Sequence, residues 1–136
     1  MKKAILTLAA TALFTIPCPA MADDLYSSQF HICMDKSQNT ATDMLDCMQQ
    51  EYERQDKLLN VNYKKAMAAA GKVSGKTGQN GIRDAQRAWL KWRELDLPLF
   101  QYGGAGTHSQ IRAMEDYLEK TALRAKFLGD LADMMQ

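Results

Sequence analysis

The chain is poor in the residues that build chemistry. It holds two histidines, three cysteines, two tryptophans and three prolines in 136 residues. His31 and His108 are far apart and neither lies in a His-Glu-x-x-His pattern, so the common zinc-hydrolase arrangement is excluded. No Gly-x-Ser-x-Gly elbow occurs. No stretch alternates apolar and polar residues as a strand does, and no apolar run approaches the roughly 20 residues that span a bilayer as a helix.

The longest apolar run lies at the start. Lys2 and Lys3 precede an uncharged stretch at residues 4–16, Pro17 and Pro19 follow, and Ala20-Met21-Ala22 stands just before Asp23 and Asp24. A short positive region, a core of about 13 apolar residues and an A-x-A site describe a cleavable signal peptide, residues 1–22. The expected location is the periplasm, or the medium, after cleavage. An uncleaved anchor and a lipoprotein modified at Cys18 are the competing readings. A lipobox has small residues before its cysteine and an apolar one three before; here Thr15, Ile16 and Pro17 precede it. Cys18 is therefore read as leaving with the leader.

Cleavage would remove two basic residues and no acidic one, leaving fifteen basic against sixteen acidic groups in residues 23–136, a formal charge of −1. That balance argues against nucleic acid as a partner and supplies no net attraction to an anionic membrane. The remaining 114 residues suffice for one hydrophobic core and hence one domain. Two cysteines remain, Cys33 and Cys47. An even count in an oxidising compartment reads as a disulfide. The alternative is a soft metal site, with His31, Cys33 and Met34 near Met44, Cys47 and Met48. No repeated ligand motif supports it, and no cofactor is implied.

Apolar periodicity predicts an all-α fold, a small bundle of about four helices, one short and three longer, with one disulfide. The short helix covers residues 27–36, with Ser27 or Ser28 as N-cap. The second covers 41–71. It begins with a capping-box pattern at Thr40 and Asp43, carries the stripe Met44, Met48, Tyr52, Leu59, Tyr63, Ala66 and Ala70, and stops at Gly71. Residues 72–81, with Gly75, Gly78 and Gly81 among polar residues, read as a flexible loop. The third helix runs from 82 to about 97 with the stripe Ile82, Ala85, Trp89, Trp92, Leu95 and Leu99, and Pro98 kinks or ends it. Trp89 and Trp92, spaced for one helix face, are expected in the core. A glycine-rich turn at 102–106 leads to a fourth helix, 108–134, with Thr107 as N-cap and the stripe Ile111, Met114, Leu118, Ala122, Ala125, Leu128 and Ala132.

Nothing in this frame assembles a catalytic centre. Gly71-x3-Gly75-Lys76-Thr77 has the wrong spacing for a phosphate loop and follows a helix. Carboxylates on the helices alternate with Lys and Arg, as on a soluble helical surface. A pair such as Glu51 and Glu53 has the chemistry for acid–base work, but nothing in the sequence desolvates it. The chain is read as a non-enzyme. Loops on rigid scaffolds often carry recognition, so Lys76 and Gly78 in the first loop and Gly103 and Gly104 in the second are candidate contact residues.

Several segments resemble one family. Cys33, then Thr42-Asp43-Met44-Leu45-Asp46-Cys47, the segment Asp56-Lys57-Leu58-Leu59-Asn60-Val61-Asn62-Tyr63, the segment Ala85-Gln86-Arg87-Ala88-Trp89-Leu90-Lys91-Trp92-Arg93-Glu94, Gly103-Gly104 and Thr121-Ala122-Leu123-Arg124 are similar to the LprI-like lysozyme inhibitors. These are small exported helical proteins. The resemblance implies a lysozyme or another envelope protein as partner. The motif residues Leu59, Tyr63, Trp89 and Trp92 fall on the apolar stripes and read as structural. The family often has a second cysteine pair, in whose neighbourhoods this chain has Leu97 and Asp116. An exported structural or accessory protein without inhibitory activity is the alternative function.

Overall fold

A computed structural model describes residues 25–37, 40–104 and 106–136. The expected signal peptide, residues 1–22, and Cys18 within it lie outside the described residues.

Helix α1, Ser28–Lys36, is capped by Ser27, whose hydroxyl accepts from the Phe30 N–H at 3.2 Å. It ends on Ser37, whose hydroxyl donates to the Met34 carbonyl at 2.8 Å. Helix α2, Ala41–Leu95, starts at Thr40, whose Oγ1 accepts from the Asp43 N–H at 3.2 Å. The Asp43 carboxylate accepts from the Thr40 hydroxyl at 2.6 Å, while the Thr40 N–H donates to the Ser37 carbonyl, so the box is one-sided.

Within α2 a single residue reverses the chain. Gly75 has φ 57° and ψ −142°, a region glycine adopts freely and other residues rarely do. Two arms, 41–74 and 76–95, fold back on each other there. Gln79 Nε2 donates to the Met67 carbonyl at 3.4 Å across the hairpin. A Cβ on Gly78 would lie 2.8 Å from the Ala70 carbonyl oxygen. The expectation of a flexible loop at 72–81, with a stop at Gly71, is therefore corrected: both arms stay helical up to the turn. The glycines that suggested a loop serve the reversal and the close approach of the arms.

The second arm ends at Leu95, and a 3-10 helix, Leu97–Gly103, carries Pro98 at its start. Helix α3, Thr107–Met134, is capped by Gly106 without a side-chain bond, so Thr107 is its first residue and not its N-cap. Ser109 donates its hydroxyl to the Gly104 carbonyl and ties the turn to the helix.

The arms and α3 form an up-down-up bundle. Gln86 meets Arg124 while Asp96 meets Lys120, so α3 runs antiparallel to the second arm. Tyr52 packs on Tyr117 while Asn62 donates to the Ala125 carbonyl, so α3 runs parallel to the first arm. Helix α1 lies antiparallel to the start of the first arm and is joined to it by the Cys33–Cys47 disulfide, Cα to Cα 5.7 Å. The two sulfurs are bonded to one another, which removes them from the thiolate ligand set considered above.

The core has two apolar parts. One gathers Leu59, Ala66, Ala70, Ile82, Ala125, Leu128 and Ala132 towards the hairpin end. The other joins Phe30, Cys47, Met48 and Leu118 under α1. Buried polar residues, among them Glu51, Gln55, Arg93 and Thr121, lie between them. The expected stripes of the first arm and α3 face inward. That of the second arm is corrected: Ile82, Gln86, Trp89 and Arg93 face the bundle, whereas Ala85, Leu95 and Leu99 are exposed. Gln86 and Arg93 are polar, and an apolar pattern passes over them.

Candidate functional site

The residues singled out by sequence fall into three groups. Leu59 is buried in the hairpin-end core, and Tyr63 and Trp89 pack half-buried against that core from the two arms. Trp92 is 47 % exposed, with the Lys120 ammonium 4.6 Å from its ring centroid, and belongs to the surface rather than the core. Lys76 and Gly78 lie at the hairpin tip; Gly103 and Gly104 close the 3-10 helix. The second arm, residues 76–95, separates these two places by about 30 Å at 1.5 Å per residue. The two candidate contact segments therefore stand at opposite ends of the bundle and cannot form one site within a single chain.

Two polar clusters not anticipated from the sequence stiffen the scaffold. Glu51 is fully buried, and its carboxylate accepts from the Ser27 N–H at 2.9 Å, the Ser27 hydroxyl at 2.6 Å, Gln55 Nε2 at 2.7 Å and Arg54 Nε at 2.7 Å. Burial alone would raise its pKa, but the hydrogen bonds from Ser27, Gln55 and Arg54 outweigh it and hold the carboxyl below the usual range. The second cluster ties the second arm to α3. Lys120 Nζ lies 2.6 Å from both Asp96 and Asp116. Burial pushes the ammonium pKa down, and the two carboxylates more than offset that, so it is raised overall. This triad pins the end of the second arm to α3 by charge.

An open groove of about 370 Å³ beside α1 is lined by Tyr26, Phe30, Met34, Met48, Leu118 and two carboxylates, Glu115 and Glu119. Desolvation, followed by the fields of Glu119, Glu115 and Glu51, raises the Tyr26 hydroxyl above its ordinary pKa. Among the described residues no group of three or more His, Cys, Asp or Glu side chains is placed to hold a metal ion. The arrangement offers surfaces for contact on a stiff frame.

The family described as Lysozyme inhibitor LprI matches residues 33–128, well over half of the chain. The chain belongs to the LprI lysozyme inhibitor family. The match runs from the disulfide cysteine of α1 through both arms of α2 to the buried Leu128 of α3, so the LprI region coincides with the bundle. No curated protein and no solved structure matches the chain. The LprI family is named for inhibiting an enzyme and not for catalysis.

Proposed function

We propose that this protein acts after export as a non-enzymatic binding protein that inhibits a lysozyme or a related cell-wall-degrading enzyme. The observation that carries the reading is the family match over residues 33–128, which takes in both arms of the hairpin and most of α3. The scaffold suits the task. Rods locked by a disulfide, a buried carboxylate clasp and an ion triad present their surface with little freedom to lose on binding. Export is supported by the leader-like residues 1–22, and among the described residues no helix is long and apolar enough to cross a membrane.

The test is a cell-wall lysis assay with purified, oxidised protein titrated against lysozymes of several classes. Saturable inhibition that persists at moderate salt supports the reading. Absence of inhibition throughout would leave an exported structural or accessory protein, whose partner would then be sought in the envelope.

A further inference from the structure

The net charge of −1 conceals a division along the molecule. From Lys57 to Arg83 the chain carries six cations, Lys57, Lys64, Lys65, Lys72, Lys76 and Arg83, and no acidic residue. All sixteen acidic residues lie elsewhere, against nine cations in the rest of the chain from residue 23 on. The hairpin folds the cationic stretch onto itself, so its six cations gather in the half of the bundle that ends at the tip, where α3 adds Arg124 and Lys126 as well as Asp130 and Asp133.

The tip also projects. Asn62 bonds to the Ala125 carbonyl and the two helices run parallel, which puts Ala70 level with the last turn of α3, ending at Met134. Residues 71–75 therefore extend beyond α3 by about 7 Å at 1.5 Å per residue. Residues 72–77 are all exposed, Val73 at 63 %. Among the described residues neither Lys72 nor Lys76 has an ion-pair partner, and α3 brings Asp130 and Asp133 towards this end, with Asp130 beside Lys126 at 3.3 Å. Ser74, Gly75, Thr77 and Gly78 keep the tip narrow.

The geometry points to this tip as the element that enters the substrate cleft of the inhibited hydrolase, with Lys72 and Lys76 meeting its catalytic carboxylates. This rests on the inhibitory function proposed above. Enzymes that cleave glycan chains place a pair of carboxyl groups about 5 to 10 Å apart on either side of the scissile bond, in a cleft that takes an extended polymer. A narrow projection with two ammonium groups beside a reversing glycine, flanked by hydroxyls and one exposed valine, complements such a cleft in shape and in charge. Lysozymes are typically basic outside the cleft, and the acidic remainder of this chain would favour their approach.

The test compares the full protein with Lys72→Glu/Lys76→Glu and with Lys91→Glu/Arg112→Glu, which makes the same charge change at exposed sites away from the tip. Circular dichroism and melting establish that each is folded. Against a lysozyme that the wild type inhibits, the tip variant is expected to need at least about tenfold more protein for half-inhibition, and the control less than about threefold. Filling the cleft with a chitin oligosaccharide should weaken wild-type binding by a similar factor. Equal inhibition by the tip variant, or binding indifferent to the oligosaccharide, overturns the assignment while leaving the inhibitory function in place. Loss of sedimentation with phosphatidylglycerol vesicles in the tip variant, with inhibition intact, would overturn it in favour of a lipid surface. A wild type that inhibits no lysozyme overturns the function and the assignment together.

Discussion

The guanidinium of Arg93 lies against the ring of Tyr117, its central carbon 4.2 Å from the ring centroid. Trp89 stands 4.9 Å away, Nη1 donates to Thr121 Oγ1 at 3.1 Å, and Nη2 meets Glu94 Oε1 at 3.2 Å. The Tyr117 hydroxyl donates to that same carboxylate oxygen at 2.8 Å, and burial followed by this bond raises its pKa well above the ordinary tyrosine value. Only Nε lacks a hydrogen-bond partner among the described residues. A cation 5 % exposed is thus kept in the bundle by two rings, a hydroxyl and a carboxylate.

Removing that cation should loosen the contact between the second arm and α3. Arg93→Ala is expected to lower the unfolding free energy by about 3 kcal/mol, because it strips a buried network of its centre. Arg93→Lys keeps the charge but loses the planar stacking and the fork of donors, and should cost about 1 to 2 kcal/mol. Urea titrations at neutral pH read both. A lysine variant as stable as wild type would mean that charge alone matters here.

Glu51 sets a pH dependence of known sign. Its folded pKa is depressed, so its contribution is fully present above the unfolded value of about 4.3 and is lost as pH falls through the lower folded value. Glu51→Gln should lose about 2 kcal/mol at pH 7, the order expected for hydrogen bonds to a charged group. The gap between variant and wild type should narrow as the pH is taken below 4.3 towards the folded value. Melting curves across that range measure it, and a gap independent of pH would count against the carboxylate as its source.

Local signals in the sequence translated well into structure. Ser27 and Thr40 cap the helices they were expected to cap, and the stripes of the first arm and α3 face the core, because each depends on neighbours within one or two turns. Cys33 and Cys47 followed from a count. What stayed hidden depends on the third dimension. Gln86 and Arg93 are buried because Arg124 and Thr121 on α3 receive them, and an apolar pattern picked Ala85 and Trp92 instead. Gly75 and Gly78 look the same in a loop and in a tight hairpin; only Ala70 opposite Gly78 distinguishes them. A charge summed over the whole chain likewise erased the basic stretch between Asp56 and Asp84.

The disulfide should act locally. Cys33 and Cys47 are 14 residues apart, and a loop of that size stabilises by roughly 3 kcal/mol on the chain-entropy account. Cys33→Ser/Cys47→Ser is expected to lose about that much. Helix α1 should lose amide-exchange protection first, since Phe30 is its single buried residue and Ser27 its clasp to Glu51. The amides of the arms around Leu59 and of α3 around Leu128 should keep their relative protection. Equal loss everywhere would show that α1 is part of the global folding unit.

Two glycines in helices should respond to alanine in opposite directions. Gly81 lies in the second arm with open space where a Cβ would stand, so Gly81→Ala should gain about 0.5 to 1 kcal/mol from helix propensity and reduced unfolded-state freedom. Gly129 lies in α3 where a Cβ would come 2.8 Å from Asn62 Nδ2. That amide is buried and donates to the Ala125 carbonyl at 2.8 Å, so moving it breaks a bond between the first arm and α3. Overpacking of about 1 to 3 kcal/mol together with the broken bond should exceed the propensity gain, and Gly129→Ala should be destabilising by about 1 kcal/mol or more. The two variants, compared by urea denaturation, separate intrinsic helix preference from the close approach of the helices. If Gly129→Ala stabilises as Gly81→Ala does, the Asn62 contact does not constrain the packing of α3.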